Sequence, residues 1–324
     1  MKLLARIPNR ELAAVFVSTV ATFSFLSATF RTKDNIEDIL AGFSHIGLLA
    51  IGQAFPILLG GIDLSVGSIL ALSGMIAFDG FLIFGLPGPL VIPVMLLAAT
   101  TAGAINGLLI VKCRLQPFIA TLATMAAYRG LTYAISGRQI FPQLATQSIN
   151  DDSLLGFDGN IGPFPYAFFL TVGVAVLAQL VLSFTKFGRD LFTVGGNIEA
   201  ARLSGINVGQ AIVISYAMSG LCAGLAALIL VSRMTTSQEN LGIGIELSAI
   251  AAAIIGGVSL VGGTGNVIGP VIGAFLMGVI LIGLSLLGVT TYAQPVLTGA
   301  VLLGAVYYDK LAATKRTHRT GTAA

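Results

Sequence analysis

Side chains able to do covalent or proton chemistry are few in this 324-residue sequence, and none of them forms a working set. It contains two histidines, His45 in an apolar stretch and His318 near the C-terminus, and neither has companions at metal-ligand or triad spacing. A lone histidine inside a membrane serves equally as a proton relay or as a hydrogen-bonded structural group. Cys113 stands in a basic loop and Cys222 in an apolar run, so neither a disulfide nor a thiolate metal site is expected. No G-x-x-x-x-G-K-[ST] run occurs, and "GGTGN" (262–266) lacks the lysine of a phosphate loop and reads as a tight turn. We expect no catalytic residue and no metal.

The acidic groups in apolar surroundings carry more information. "GGIDLSVGS" (60–68) places a carboxylate between two apolar runs. Gly60 and Gly61 allow a sharp backbone path, and Asp63 can accept from free amides near Ser65 and Val66. These four, Gly60, Gly61, Asp63 and Ser65, read as a turn and helix cap; direct contact with a solute is the other reading. Asp79 and Arg129 lie deeper, and each either pairs with the other or snorkels outward. In "VGGNIEAARLSGINV" (194–208), Asn197 is a good N-cap, Glu199 suits the positive helix start and Gly205 is a good stop. The enclosed helix of about two turns is too short to persist alone in water. It needs a partner surface, or it lies on the membrane as a linker.

The elements that hold these residues follow from composition. Hydrophobic residues make up 56% and charged ones 10% of the chain, against about a quarter charged in soluble domains. Apolar stretches of roughly 20 residues, enough to cross a bilayer, recur along the whole sequence. The expectation is an all-α polytopic membrane protein with spans at 11–30, 39–59, 64–84, 88–111, 117–136, 164–185, 209–232, 246–264, 267–288 and 293–309. An even number of spans puts both ends on one side. Lys2, Arg6, Arg10, Lys112, Arg114, Lys186, Arg189, Arg202, Lys310, Lys315, Arg316 and Arg319 share that side, against Arg31, Lys33, Arg138 and Arg233. The bias predicts both ends in the cytoplasm. One membrane domain over 1–310 and a disordered tail over 311–324 are expected, with no nucleic-acid footprint.

"GIDLSVGSILALSG" (61–74) is echoed by "GIELSAIAAAIIGG" (244–257). The two would open the third and eighth spans, an odd offset that makes them opposite in orientation, as in inverted-repeat transporters. Small residues four apart, at Gly103/Gly107, Gly220/Gly224 and Gly269/Gly273, predict close helix contacts. Intramembrane acids are too few for a proton- or sodium-driven carrier, which suggests a neutral solute and an energy source outside this chain.

Four stretches together, "GGIDLSVGSILALSG", "PFIATLATMAAYRGLTY", "GGNIEAARLSGINV" and "ELSAIAAAIIGGVSLVGGTGNVIGPVIGA", resemble the permease subunits of bacterial ABC sugar importers, the ribose/xylose/autoinducer-2 branch above all. The similarity runs in order over roughly 35–310. It implies a ten-span, multi-pass subunit of the bacterial inner membrane, paired with a second copy or a paralogous permease. It also implies an ABC-type ATPase docking from the cytoplasm, which alone holds ATP and Mg, and a periplasmic sugar-binding protein delivering the solute. On this resemblance the 194–208 segment is the coupling segment, and Asn197, Glu199, Ala200, Arg202 and Gly205 contact the ATPase. Asp79 stands where relatives carry a small neutral residue, and "GGTGN" lacks a basic residue that many carry nearby. For the translocation path, the polar or aromatic groups on or near spans are Gln53, Asn106, Gln116, Phe118, Thr121 and Tyr128. The rival is a secondary sugar carrier working alone, which leaves the coupling segment unexplained.

Overall fold

The computed structural model describes residues 10–137, 156–234, 240–290, 292–293 and 295–307. The expected tail over 311–324 lies outside them, as does most of the connection before the sixth apolar stretch. Helices account for most of the described chain: α1 (Arg10–Leu26), α2 (Lys33–Leu58), α3 (Val66–Leu82), α4 (Gly88–Lys112), α5 (Pro117–Ser136), α6 (Tyr166–Phe184), α7 (Lys186–Gly196), α8 (Ile198–Leu203), α9 (Val208–Met234), α10 (Ile245–Ile255), α11 (Ile268–Leu286) and α12 (Pro295–Tyr307). Five of them, α2, α4, α6, α9 and α11, are long and apolar enough to cross a bilayer. The protein is a polytopic helical membrane protein. A two-residue antiparallel pair, β1 (Asn160–Ile161) with β2 (Phe164–Pro165), leads into α6.

Helix edges differ from the sequence reading for local reasons. α2 begins at Lys33, six residues before the expected span, because Thr32 caps it through Asn35 N at 3.4 Å and Lys33 pairs with Glu37 at 3.3 Å. α10 stops at Ile255 instead of continuing to 264. Gly256 and Gly257 follow, the latter at φ +87°, and Ser259 N closes a turn onto Thr264 O at 3.0 Å. The stretch after α6 also contains α7, which the sequence reading left without structure. Thr185 caps α7 through Gly188 N at 3.2 Å, and Leu191 and Val194 bury its inner edge.

The core is a backbone-close stack of α4, α9 and α2. A Cβ on Gly103 would lie 3.0 Å from the Gly220 Cα, one on Gly107 2.6 Å from the Val213 Cα, and one on Gly224 2.8 Å from the Ala99 Cβ. On the other side of α9, a Cβ on Gly52 would lie 2.8 Å from the Cys222 Cβ. The third pair acts likewise, since a Cβ on Gly273 would lie 3.1 Å from the Ala252 carbonyl carbon. Lipid is as apolar as leucine, so helices in it gain from dispersion contact, and removing side chains at a crossing maximises that contact.

The echoing stretches touch each other, since a Cβ on Gly67 would lie 2.7 Å from Glu246 Oε2 and 3.3 Å from Ile245 Cγ2. Their registers differ: Asp63 lies in the turn before α3, whereas Glu246 is in the first turn of α10. Asp79 and Arg129 do not pair. Arg129 Nη1 donates to Leu241 O at 2.8 Å, while the buried Asp79 Oδ1 has no partner among the described residues.

Candidate functional site

Between the end of α2 and the start of α3 the chain runs through Gly60–Ser65 as a buried turn. Gly60, at φ +77°, donates to Ile57 O at 2.8 Å, and Gly61 donates to Pro56 O at 2.9 Å. Gly61 has no room for a Cβ, which would sit 2.6 Å from the Tyr216 hydroxyl. Asp63 is fully buried. Its Oδ1 accepts from Ser65 N at 3.0 Å, Ser65 Oγ at 2.6 Å and Asn106 Nδ2 at 3.4 Å, and its Oδ2 accepts from Ser219 Oγ at 2.9 Å. Gln53 of α2 clasps the Asp63 backbone, donating to its carbonyl and accepting from its amide at 3.4 Å. Tyr216 Oη donates to Ile62 O at 3.4 Å, and Thr121 Oγ1, which donates to Pro117 O at 2.9 Å, lies 3.3 Å from the same Ile62 carbonyl. Tyr128 Oη donates its one proton to Ala102 O at 2.9 Å and lies 3.3 Å from Asn106 Oδ1. Asp63 thus ties three helices to the start of α3, its carboxylate holding α4 and α9 and its backbone holding α2, and α5 joins through Thr121 and Tyr128.

This arrangement separates the six residues considered for the path. Gln53, Asn106, Thr121 and Tyr128 are all buried within the network just described. Phe118 is 54% exposed, and Gln116, which precedes α5 in extended conformation, is exposed as well. The open face of α5 continues from Phe118 through Leu122 to Tyr133. Ser219 and Tyr216 completed the network without being singled out from the sequence. Their only signal was Ser215 and Ser219 at i, i+4 beside the Gly220/Gly224 pair, which the apolar run of α9 obscured.

On the side where α4 ends, α7 and α8 form a compact hook. Asn197 Oδ1 accepts from Glu199 N and Ala200 N, both at 3.0 Å, and Gly205 leaves α8 at φ +77°. Ala201 is fully buried against Val194, Val208 and Ala211, with Leu59 packed alongside. The outer face carries the Glu199–Arg202 pair at 2.9 Å, together with Ile198 and the 90%-exposed Leu203. A cavity of about 910 Å³ opens between α8 and the α4–α5 turn, and Arg114, Arg202, Asn207 and Tyr216 are among its lining residues. Arg114 holds a left-handed φ of 54°, a conformation uncommon outside glycine. Because Asn197 satisfies two amides that α8 cannot, Asn197→Ala should cost about 1 kcal/mol of local stability. Faster amide exchange over 198–203 is the expected reading.

An inward-locked carboxylate, glycine-lined helix crossings and an outward-facing capped hook suit a moving membrane subunit better than a reaction centre. Residues 35–306 match the family model described as "Branched-chain amino acid transport system / permease component". The chain belongs to this permease family. The permease is 40% identical over 276 residues to the ribose import permease protein RbsC of Haemophilus influenzae, covering 84% of this chain and 83% of that protein. It is 40% identical over 268 residues to the ribose import permease protein RbsC of Bacillus subtilis, covering 80% and 79%. The L-arabinose ABC transporter permease protein AraH of Azospirillum brasilense is 32% identical over 278 residues, covering 83% and 78%. No solved structure matches the permease. Such a permease is a non-catalytic membrane subunit, and ATP hydrolysis is the work of a partner ATPase.

Proposed function

We propose that the permease carries a neutral monosaccharide into the bacterial cell through the inner membrane, as one of two permease copies around a central path. A separate ATPase docks on α8 and holds the ATP and Mg, and a periplasmic binding protein supplies the sugar. The observation that carries this reading is α8 itself: a helix capped at both ends, buried through Ala201, and presenting Ile198, Leu203 and an ion pair outward. Ile198 and Leu203 beside the Glu199–Arg202 pair give α8 a mixed apolar and charged outer face that suits a groove on a partner. The sugar class rests on relatives named for ribose, D-allose and L-arabinose import or transport.

Ten spans with both ends inside agree with the shared side of the basic residues, since Arg114 and Arg202 line one cavity beside α8. The contact between the echoing stretches supports an inverted repeat. For the path, the exposed face of α5 is the natural wall, with Gln116 to hydrogen-bond hydroxyls and Phe118 to stack on a sugar ring. Selection occurs at the binding protein, so contacts along the path are weak.

The test is a Glu199→Arg permease, purified from native membranes in mild detergent beside the unmodified one. Both side chains of the Glu199–Arg202 pair are largely exposed, so folding should hardly change. Co-purified ATPase activity should disappear, and ATP-dependent uptake of ribose, allose, arabinose or fructose should fall by about a hundredfold, as for a central interface residue. Normal uptake in the variant, or solute transport by the isolated permease without ATPase, would replace this reading with a stand-alone carrier.

A further inference from the structure

Three glycine-bearing segments, far apart in sequence, meet backbone to backbone beneath α8. Gly263 N donates to Leu58 O at 2.8 Å. A Cβ on Gly195 would press on the same Leu58 carbonyl and would lie 2.6 Å from Gly263 N. A Cβ on Gly262 would lie 2.9 Å from Gly195 O and 3.0 Å from Gly60 N, and one on Gly263 would lie 2.8 Å from the Gly196 Cα. The end of α2, the end of α7 and the 259–264 turn therefore share one side-chain-free junction.

We propose that this junction transmits displacement of α8 into the membrane helices, with Gly195 as its central positioning residue. The inference rests on the reading of α8 as the ATPase docking element. α7 ends at Gly196, directly before the Asn197 cap, so any movement of α8 pulls on Gly195. α8 also leans on Leu59 through the cluster around Ala201. Both attachments reach the same turn of chain, Leu58–Leu59. From there Gly60 and Gly61 lead directly to Asp63, whose hydrogen bonds hold α4 and α9. Contacts between backbones offer no rotamer that could absorb a shift, so the junction moves as a unit or breaks. The same path explains the glycines of "GGTGN": the turn is packed against α2 and α7 and needs no phosphate or lysine.

The adjacent residue supplies the control. A Cβ on Gly196 meets nothing within 4 Å, and alanine is the better helix former at both positions. The experiment uses the whole transporter, permease with ATPase and binding protein, in proteoliposomes, with a radiolabelled mixture of ribose, allose, arabinose and fructose. Gly195→Ala should assemble and hydrolyse ATP, while uptake per ATP hydrolysed falls about tenfold, within the range of coupling between distant sites. Gly196→Ala should match the unmodified permease. Equal coupling in the two variants overturns the junction but leaves α8 docking intact; an unmodified permease that recovers no ATPase removes both.

Hydrogen exchange on the unmodified transporter keeps the proposal testable if Gly195→Ala fails to fold. Vanadate trapping should change protection of peptides covering 56–61 and 259–266 together with those covering 197–203. A change confined to 197–203 would rule the junction out.

Discussion

Gly220→Leu should leave almost no folded permease in the membrane, with destabilisation of at least about 3 kcal/mol, the upper end for overpacking a core. Any side chain at 220 begins with a Cβ that would lie 3.0 Å from the Gly103 Cα and closer still to the Ala99 carbonyl. Rotamer choice cannot relieve a clash at Cβ, so α4 and α9 must separate along the line that also holds Gly107 and Gly224. Separation forfeits dispersion contacts that nothing in lipid replaces. The control is Gly173→Leu on the exposed face of α6, where a Cβ meets nothing within 4 Å. The chain has no tryptophan, but Cys222 is buried beside Gly52 and reports unfolding by its reactivity. In a Cys113→Ser background, thiol labelling on heating should show the unmodified protein and Gly173→Leu alike and Gly220→Leu open from the start. Equal melting of all three would disprove the close-packed crossing.

The second large effect belongs to Asp63. Asp63→Ala removes the acceptor for Ser65 N, Ser65 Oγ, Ser219 Oγ and Asn106 Nδ2 in a site without exposed surface. Hydroxyls can re-aim and Asn106 Nδ2 keeps Ser65 Oγ at 2.7 Å, but the backbone amide of Ser65 loses its acceptor. We expect a loss of about 3–5 kcal/mol, the magnitude for breaking a buried charged hydrogen-bond set. Asp63→Asn keeps an oxygen for Ser65 and turns its amide towards Ser219, whose hydroxyl can accept instead of donate. It should cost about 1 kcal/mol, one ordinary hydrogen bond. Cys222 labelling should rank Ala far below Asn; Asn as harmful as Ala would mean that the negative charge itself, not the shape of the acceptor, holds the turn.

How much of this was legible in the chain differs from one residue to another. Asn197, Glu199 and Gly205 announce α8 because capping depends on neighbours within one turn of helix. Gly103/Gly107 and Gly220/Gly224 mark crossings because only residues four apart share a helix face. Asn106 and Gln53 were harder. Their helices are apolar on every side, so no amphipathic period says whether a polar group faces a path or the interior. α7 escaped because its buried Leu191 and Val194 sit among glycine and charge, and α10 ended early at two glycines within an unbroken apolar run.

The sequence by itself determined the membrane class, the capped helix α8 and the small-residue crossings. Each depends on hydropathy, charge or spacing within a few residues. Only the tertiary structure decided that Gln53, Asn106, Thr121 and Tyr128 converge on the Asp63 turn, and that Gly60, Gly195 and Gly262 share one junction. Those meetings join residues up to some two hundred positions apart, and hydrogen-bond direction and backbone contact at such separations are set by helix packing, not by local pattern.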